Sequence, residues 1–156
     1  MRFGYVLFIG SLMTAGVGEG ADKKFQHTPD ELKIWELTNL ERKGKDKMPL
    51  KLNPALSKLA RAHSENMAKQ QKQDHTLDGK TPFDRLREAG YKYFNAGENI
   101  GSADGGTIDM VMKAWMDSKG HAENILNPDY AEIGVGIARD KDGVTYYTQL
   151  FAKPRK

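Results

Sequence analysis

Two histidines and one glutamate stand in short polar stretches of this chain: His75 in "QDHTLDGK", Glu98 in "AGENIGS" and His121 in "SKGHAENILNPDY". Each stretch is rich in turn-forming residues and lies between segments of regular apolar periodicity. Such connections can converge at one rim of a sheet, where binding and catalytic side chains tend to lie. Two imidazoles and a carboxylate suit zinc, with one coordination position left for water. Without metal, the same trio could move protons as general acid and base. Spacing alone favours neither reading, because the chain has no HExxH and no paired CxxC pattern. Nucleophilic chemistry has less support. There is no cysteine and no Gly-x-Ser-x-Gly elbow. Ser64 follows His63 directly on an expected helix, where adjacent residues do not face each other. "GENIGSADGG" is glycine-rich but is neither a dinucleotide fingerprint nor a Walker loop.

The elements that must position these residues are well marked. "HTPDELKIWELTNLERKGK" predicts a helix with Thr28 as N-cap, Pro29 at its first position and Glu31 completing a capping box. Leu32, Ile34, Trp35, Leu37 and Leu40 are its expected buried side. "NPALSKLARAHSENMAKQQK" predicts a second helix capped by Asn53, with Leu56, Leu59, Ala60, His63 and Met67 on one face. His63 therefore reads as a hydrogen-bonded core histidine. Thr81-Pro82 opens a short helix that stops at Gly90. Tyr91, Tyr93 and Phe94 read as a buried aromatic connector, and "GSADGGT" as an exposed loop. "TIDMVMKAWMDS" is an amphipathic helix whose core face is Ile108, Val111, Met112, Trp115 and Met116. "EIGVGIARDKDGVTYYTQLFAK" reads as a hairpin turning at Asp140–Gly143. Ile133, Val135 and Ile137 share one face of it. Gly134, Gly136 and Ala138 share the other, where another element can approach the backbone closely. Helices followed by strands predict an α+β fold, with helices packed on a mostly antiparallel sheet.

Length and composition bound the rest. The chain has 156 residues, which suits one domain with a core that needs no disulfide. Arg2 precedes a mostly apolar stretch from Phe3 to Val17, followed by small residues. That pattern predicts a signal peptide over residues 1–20, cleaved between Ala15 and Ala21, with an uncleaved anchor as the alternative. No second apolar run follows, so no transmembrane segment is expected in the mature protein, and its location is secreted or periplasmic. The formal net charge is +3, with both signs interspersed. No nucleic-acid partner is expected, although weak attraction to anionic cell-surface polymers is compatible with that charge.

"AGENIG", "AWMDSKGHAENILNPDYAEIGVGIA" and "YYTQLFA" closely resemble the CAP superfamily (SCP domain) of cysteine-rich secretory proteins, in its bacterial secreted form. The likeness spans residues 30–153. It implies a three-layer α–β–α sandwich with a central, mostly antiparallel sheet, and a cleft lined by two histidines and two acids. Residue by residue, the family's first cleft histidine matches His75, its Gly-Glu-Asn glutamate matches Glu98 and its second histidine matches His121. The second acid of many relatives falls on Ser118, beside Asp117, so the acid pair is incomplete. That departure points to a loose zinc site with His75 and His121 as ligands, Glu98 as a candidate third ligand or base, and water. An imidazole of His121 hydrogen-bonded to Glu98 without metal is the structural alternative. Asn99 and Asn124 are expected to hold backbone, and Trp115 to pack beneath the cleft. The resemblance implies an extracellular ligand of the lipid, glycan, peptide or cell-wall class. The alternative is a zinc-dependent hydrolase acting on peptides or cell-wall material.

Overall fold

The computed structural model describes residues 25–155; the expected signal peptide lies outside them. In chain order the elements are α1 (Pro29–Lys43), β1 (Lys51–Leu52), α2 (Pro54–Gln70), α3 (Pro82–Glu88), β2 (Tyr93–Asp104), α4 (Ile108–Asp117), α5 (Lys119–Leu126), β3 (Glu132–Arg139) and β4 (Val144–Pro154). The strands form one sheet in the order β1-β3-β4-β2, parallel only between β1 and β3. Helix α2 covers one face of the sheet, while α1, α4 and α5 cover the other. This is the α–β–α sandwich that the motifs implied.

The hairpin sorts its residues between the two helical layers by strand alternation. Ile133 and Val135 join Ile34, Trp115, Ile125 and Phe151 in the core under α1, α4 and α5. Gly134 and Gly136 face α2. A Cβ on Gly134 would stand 2.1 Å from the Leu56 carbonyl carbon, and one on Gly136 would stand 2.0 Å from the Arg61 nitrogen. The missing side chains let the α2 backbone lie directly on the strand. Two serines of α2 use that proximity: Ser57 Oγ accepts from the Val135 N–H, and Ser64 Oγ donates to the Gly136 carbonyl. The turn at Asp140–Gly143 is held by Asp140 Oδ1, which accepts from the N–H groups of Asp142 and Val144.

Helix α1 starts as expected. Thr28 Oγ1 accepts from the Glu31 N–H, and the Glu31 carboxylate accepts from the Thr28 N–H. Glu31 also receives the Arg61 guanidinium, so a single carboxylate caps α1 and joins it to α2. The buried stripe differs from the apolar pattern: it runs Glu31, Ile34, Thr38, Arg42, while Leu32 and Leu40 are 37% and 62% exposed. The reason is at the far end of the helix. Fully buried Arg42 donates to the carbonyls of Met48, Ile125 and Asn127, and so fixes which side of α1 faces inward.

Two other expectations are corrected. "GSAD" is not a loop, because β2 continues to Asp104 in register with β4 as far as Val144. The partner strand supplies its backbone bonds, and only Gly105 and Gly106, both at positive φ, make the turn. The aromatic connector is not wholly buried either. The β2–β4 register shifts between Tyr93 and Asn95, and Phe94 is left 68% exposed.

Candidate functional site

Glu98 lies in the middle of β2, an edge strand, paired with Leu150. Alternation turns Glu98 toward α2 and α3 and turns Asn99 toward α5. The Glu98 side chain is 2% exposed. Its Oε1 is 2.9 Å from His75 Nδ1, and its Oε2 accepts from the Arg85 guanidinium. Arg85 extends from α3, whose start is set by the Thr81–Asp84 capping box. It also donates to the carbonyls of His75 (3.0 Å) and Lys80 (3.1 Å). One guanidinium thus holds both the glutamate and the backbone of the histidine loop. That loop is bent by Asp74, whose Oδ1 accepts from the Thr76 N–H.

Behind Glu98 stands His63, with Nε2 3.9 Å from Glu98 Oε1 and a side chain 1% exposed. Its place in the core is as expected, but among the described residues neither ring nitrogen makes a hydrogen bond of ordinary geometry. Burial holds His63 below the ordinary imidazole pKa, outweighing the attraction of Glu98.

His121 sits in the first turns of α5, not in a loop. Its backbone carbonyl accepts from Asn99 Nδ2 at 3.0 Å. Asn124 Nδ2 donates to Asn99 Oδ1 and to the Glu98 carbonyl. The two asparagines therefore anchor α5 to the site strand, as their expected backbone role requires. The alternative bond from His121 to Glu98 does not form, because Glu98 faces the opposite layer, where it meets His75 and Arg85. Among the described residues, buried His121 Nδ1 has no hydrogen-bond partner. Burial, reinforced by the nearby His75, lowers its pKa. The structure thus joins His75 and Glu98 directly and brings His121 within electrostatic reach of His75 around the sheet edge. Asp117 is not a second site acid: it pairs with Lys113 and is 65% exposed.

Next to His121, an apolar groove of about 380 Å³ runs between β2 and α4. Ala103, Met110, Val111 and Trp115 line it together with Ser118 and His121, while the Ile100 side chain packs in the opposite layer with Met67 and Leu77. Trp115 forms its floor, with Nε1 donating to the Ile100 carbonyl at 3.0 Å. Gly101 leaves room for that indole, since a Cβ there would stand 3.3 Å from Trp115 Nε1. Sequence reasoning missed Arg85 as a site residue. The one signal was its place four residues after the Thr81 cap, on a helix beginning just beyond the His75 loop.

The depressed imidazoles of His63 and His121, with that of His27, which burial also lowers, set an acid response. A folded pKa below the unfolded value near 6.5 means that the neutral form is favoured in the fold. That contribution is present in full above about pH 6.5 and is lost as pH falls toward the folded value. The melting temperature is expected to fall between about pH 7 and pH 5, and more shallowly in His63→Leu. Parallel profiles for the two proteins would show that His63 is not the group responsible.

As a test of fit to zinc, the buried and unpartnered His121 Nδ1 leaves Nε2 as the nitrogen open to a ligand. His75, with Nδ1 held by Glu98, likewise has Nε2 free, in the carboxylate–imidazole arrangement common at zinc sites. Each Glu98 oxygen already takes part in one hydrogen bond, Oε1 with His75 Nδ1 and Oε2 with Arg85. Among the described residues, no group of three or more His, Cys, Asp or Glu side chains is placed to hold a metal.

The model of the cysteine-rich secretory protein family matches residues 35–151. The Bacillus subtilis protein YkwD is 45% identical over 122 residues, which cover 78% of this chain and 46% of that protein. Among solved structures, an outer surface protein from Borrelia burgdorferi superposes with a TM-score of 0.75 at 25% identity, covering 83% of this chain and 97% of that one. An extracellular SCP-domain protein from Bacillus anthracis superposes with a TM-score of 0.71 at 27% identity, covering 82% of this chain and 44% of that one. The chain spans less than half the length of the first curated relatives it matches.

Proposed function

The chain belongs to the cysteine-rich secretory protein (CAP) family, and we propose that it is an exported binding module whose His75–Glu98–His121 cleft and adjoining groove hold an amphipathic extracellular ligand. The observation that carries this reading is the apolar groove that His121 helps to line. Its walls would take an acyl chain or apolar side chain, and the imidazole pair would take the polar end. Lipids, peptides and cell-wall fragments combine both features. Export fits the outer-surface and extracellular relatives. No helix among the described residues is long and apolar enough to cross a membrane.

Zinc is part of the proposal in a limited form. His75 and His121 would hold it through Nε2, Glu98 would orient His75 from behind, and the rest of the shell would be open to water or ligand. Such an ion would polarise a bound carbonyl or phosphoryl oxygen. The hydrolase alternative is less favoured, because Glu98 is held between Arg85 and His75, and Asp117, the acid beside the family's second-acid position, is turned to solvent and paired with Lys113.

Calorimetric titration with zinc at neutral pH tests the metal. Micromolar binding is expected in the wild type, weakened at least tenfold in both His75→Ala and His121→Ala. No heat in the wild type would remove zinc from the site. Trp115 fluorescence in a Trp35→Phe background tests the groove. Quenching or enhancement by a fatty acid or a muropeptide is expected, with loss in Val111→Glu. A silent Trp115 across all ligand classes would overturn the binding reading.

A further inference from the structure

The end of the sheet farthest from the β3–β4 turn collects cations that have no acid partners. Register shows how they gather. Lys51, Glu132, Ala152 and Ala96 lie in one row across the four strands. Beyond that row, β4 continues through Lys153 to its end at Pro154, Arg155 follows it, and β2 is entered from Lys92. The segment entering β1 carries Lys45 and Lys47. Arg42 ties it to this end by donating both to the Met48 carbonyl and to that of Asn127, which leads toward β3. On the other side, the Arg155 N–H donates to the Lys92 carbonyl.

Among the described residues, none of Lys45, Lys47, Lys51, Lys92, Lys153 and Arg155 is in an ion pair; Lys58, Lys69 and Arg139 are unpaired as well but lie apart from this cluster, and Lys33, Lys72, Lys80, Lys113 and Lys141 are paired. The acids present are few. Asp46 and Asp129 are exposed, and Glu132 is taken up by Asn53 Nδ2 and Tyr91 Oη. The same end exposes apolar side chains: Met48 is 80% exposed, Phe94 68% and Leu40 62%. Arg155 lies over the Phe94 ring at 5.7 Å. A hollow of about 460 Å³ opens here, lined by Lys92 and Arg155, by Arg87, which is paired with Asp84, and by Tyr91 and Tyr93.

We propose that this end is a docking face for an anionic phospholipid bilayer, with the Arg87–Lys92–Arg155 hollow seating a headgroup phosphate and Met48 and Phe94 entering the interface. Cations alone would suit any polyanion. Exposed methionine and phenylalanine among them favour a bilayer over a soluble polyanion, which offers no apolar surface for them to enter, whereas a hydrocarbon boundary beneath anionic headgroups does. Each basic residue near an anionic leaflet adds to the attraction, within a Debye length of the surface. This proposal is independent of the cleft and its ligand.

The test is co-sedimentation of the full chain with vesicles of phosphatidylcholine alone or mixed with phosphatidylglycerol. The N-terminal apolar segment is common to every protein compared, so the difference between variants reports the face. Salt-sensitive preference for the anionic vesicles is expected. Lys92→Glu/Arg155→Glu and Lys45→Glu/Lys47→Glu should each weaken it roughly tenfold or more. The matched reversal at the opposite end, Lys69→Glu/Lys141→Glu, should leave it nearly intact. Met48→Ser/Phe94→Ser should weaken it at constant charge. Equal binding to neutral vesicles, or equal loss in the opposite-end control, would overturn the proposal. So would unchanged partition of Met48→Ser/Phe94→Ser together with tight binding of inorganic polyphosphate, which would assign the face to soluble polyanions.

Discussion

Gly136→Ala is expected to destabilise the fold by about 3 kcal/mol or more, a large share of the roughly 5–15 kcal/mol available to a domain of this size. The added methyl would lie 2.0 Å from the Arg61 nitrogen and 2.2 Å from the Ala60 carbonyl carbon. Both are backbone atoms inside a helix, so no rotamer change can relieve the clash. Helix α2 would have to lift from β3 by more than an ångström. That movement would stretch the Ser64 Oγ bond to the Gly136 carbonyl, part Ser64 from Thr148, and loosen the packing of Leu56 and Ala60 on Leu150. Gly134→Ala meets the same obstacle at Leu56 and Ser57. Gly120→Ala is the internal control. Gly120 lies in α5 with nothing within 4 Å of an added Cβ. Removing a helical glycine there should stabilise by up to about 1 kcal/mol. Equilibrium unfolding in urea measures all three. A near-neutral Gly136→Ala would mean that α2 and β3 are not in backbone contact.

That close approach was legible in the sequence, because three small residues alternate with three branched ones in a strand-length run. The alternation states which face is thin without saying what lies on it. The helices were legible for a similar reason: Thr28, Asn53 and Thr81, each followed by proline, mark their own helix starts through local hydrogen bonds. Features that depend on distant partners were not legible. The inward side of α1 is set by Arg42 reaching the carbonyls of Ile125 and Asn127, so apolar periodicity alone placed Leu32 and Leu40 inside. "GSAD" reads as a loop until Val144–Tyr147 supply its ladder. At the site, His75, Glu98 and His121 could be singled out by type and by the family motifs. That Glu98 and His121 belong to opposite faces of an edge strand follows only from register. Arg85, the residue that binds loop to strand, carried no mark of its own.

Loss of the Glu98 carboxylate should have the second large effect, and it tests the site and the fold together. Glu98→Leu removes the charge that compensates Arg85, whose side chain is only 13% exposed, and leaves the guanidinium buried with two carbonyls alone. Breaking one side of a buried ion pair typically costs about 3–5 kcal/mol, because the remaining charge keeps its desolvation penalty. Arg85→Met should be costly for the mirrored reason, and it also frees the His75 and Lys80 carbonyls. The double variant Glu98→Leu/Arg85→Met removes both charges, so its cost should fall short of the sum of the singles by about 1 kcal/mol or more. Additive costs would show that the two groups do not form a pair in solution. The same variants separate architecture from chemistry. His75 loses its anchor in Glu98→Leu, and its loop also loses the Arg85 clamp in the double variant, whereas His121 keeps its tie through the Asn99 side chain. If the imidazole pair is the binding element, a folded double variant should lose affinity for zinc while Trp115 still reports an intact groove. Loss of both signals would mean that the edge strand, and not the histidine pair, is what Glu98 maintains.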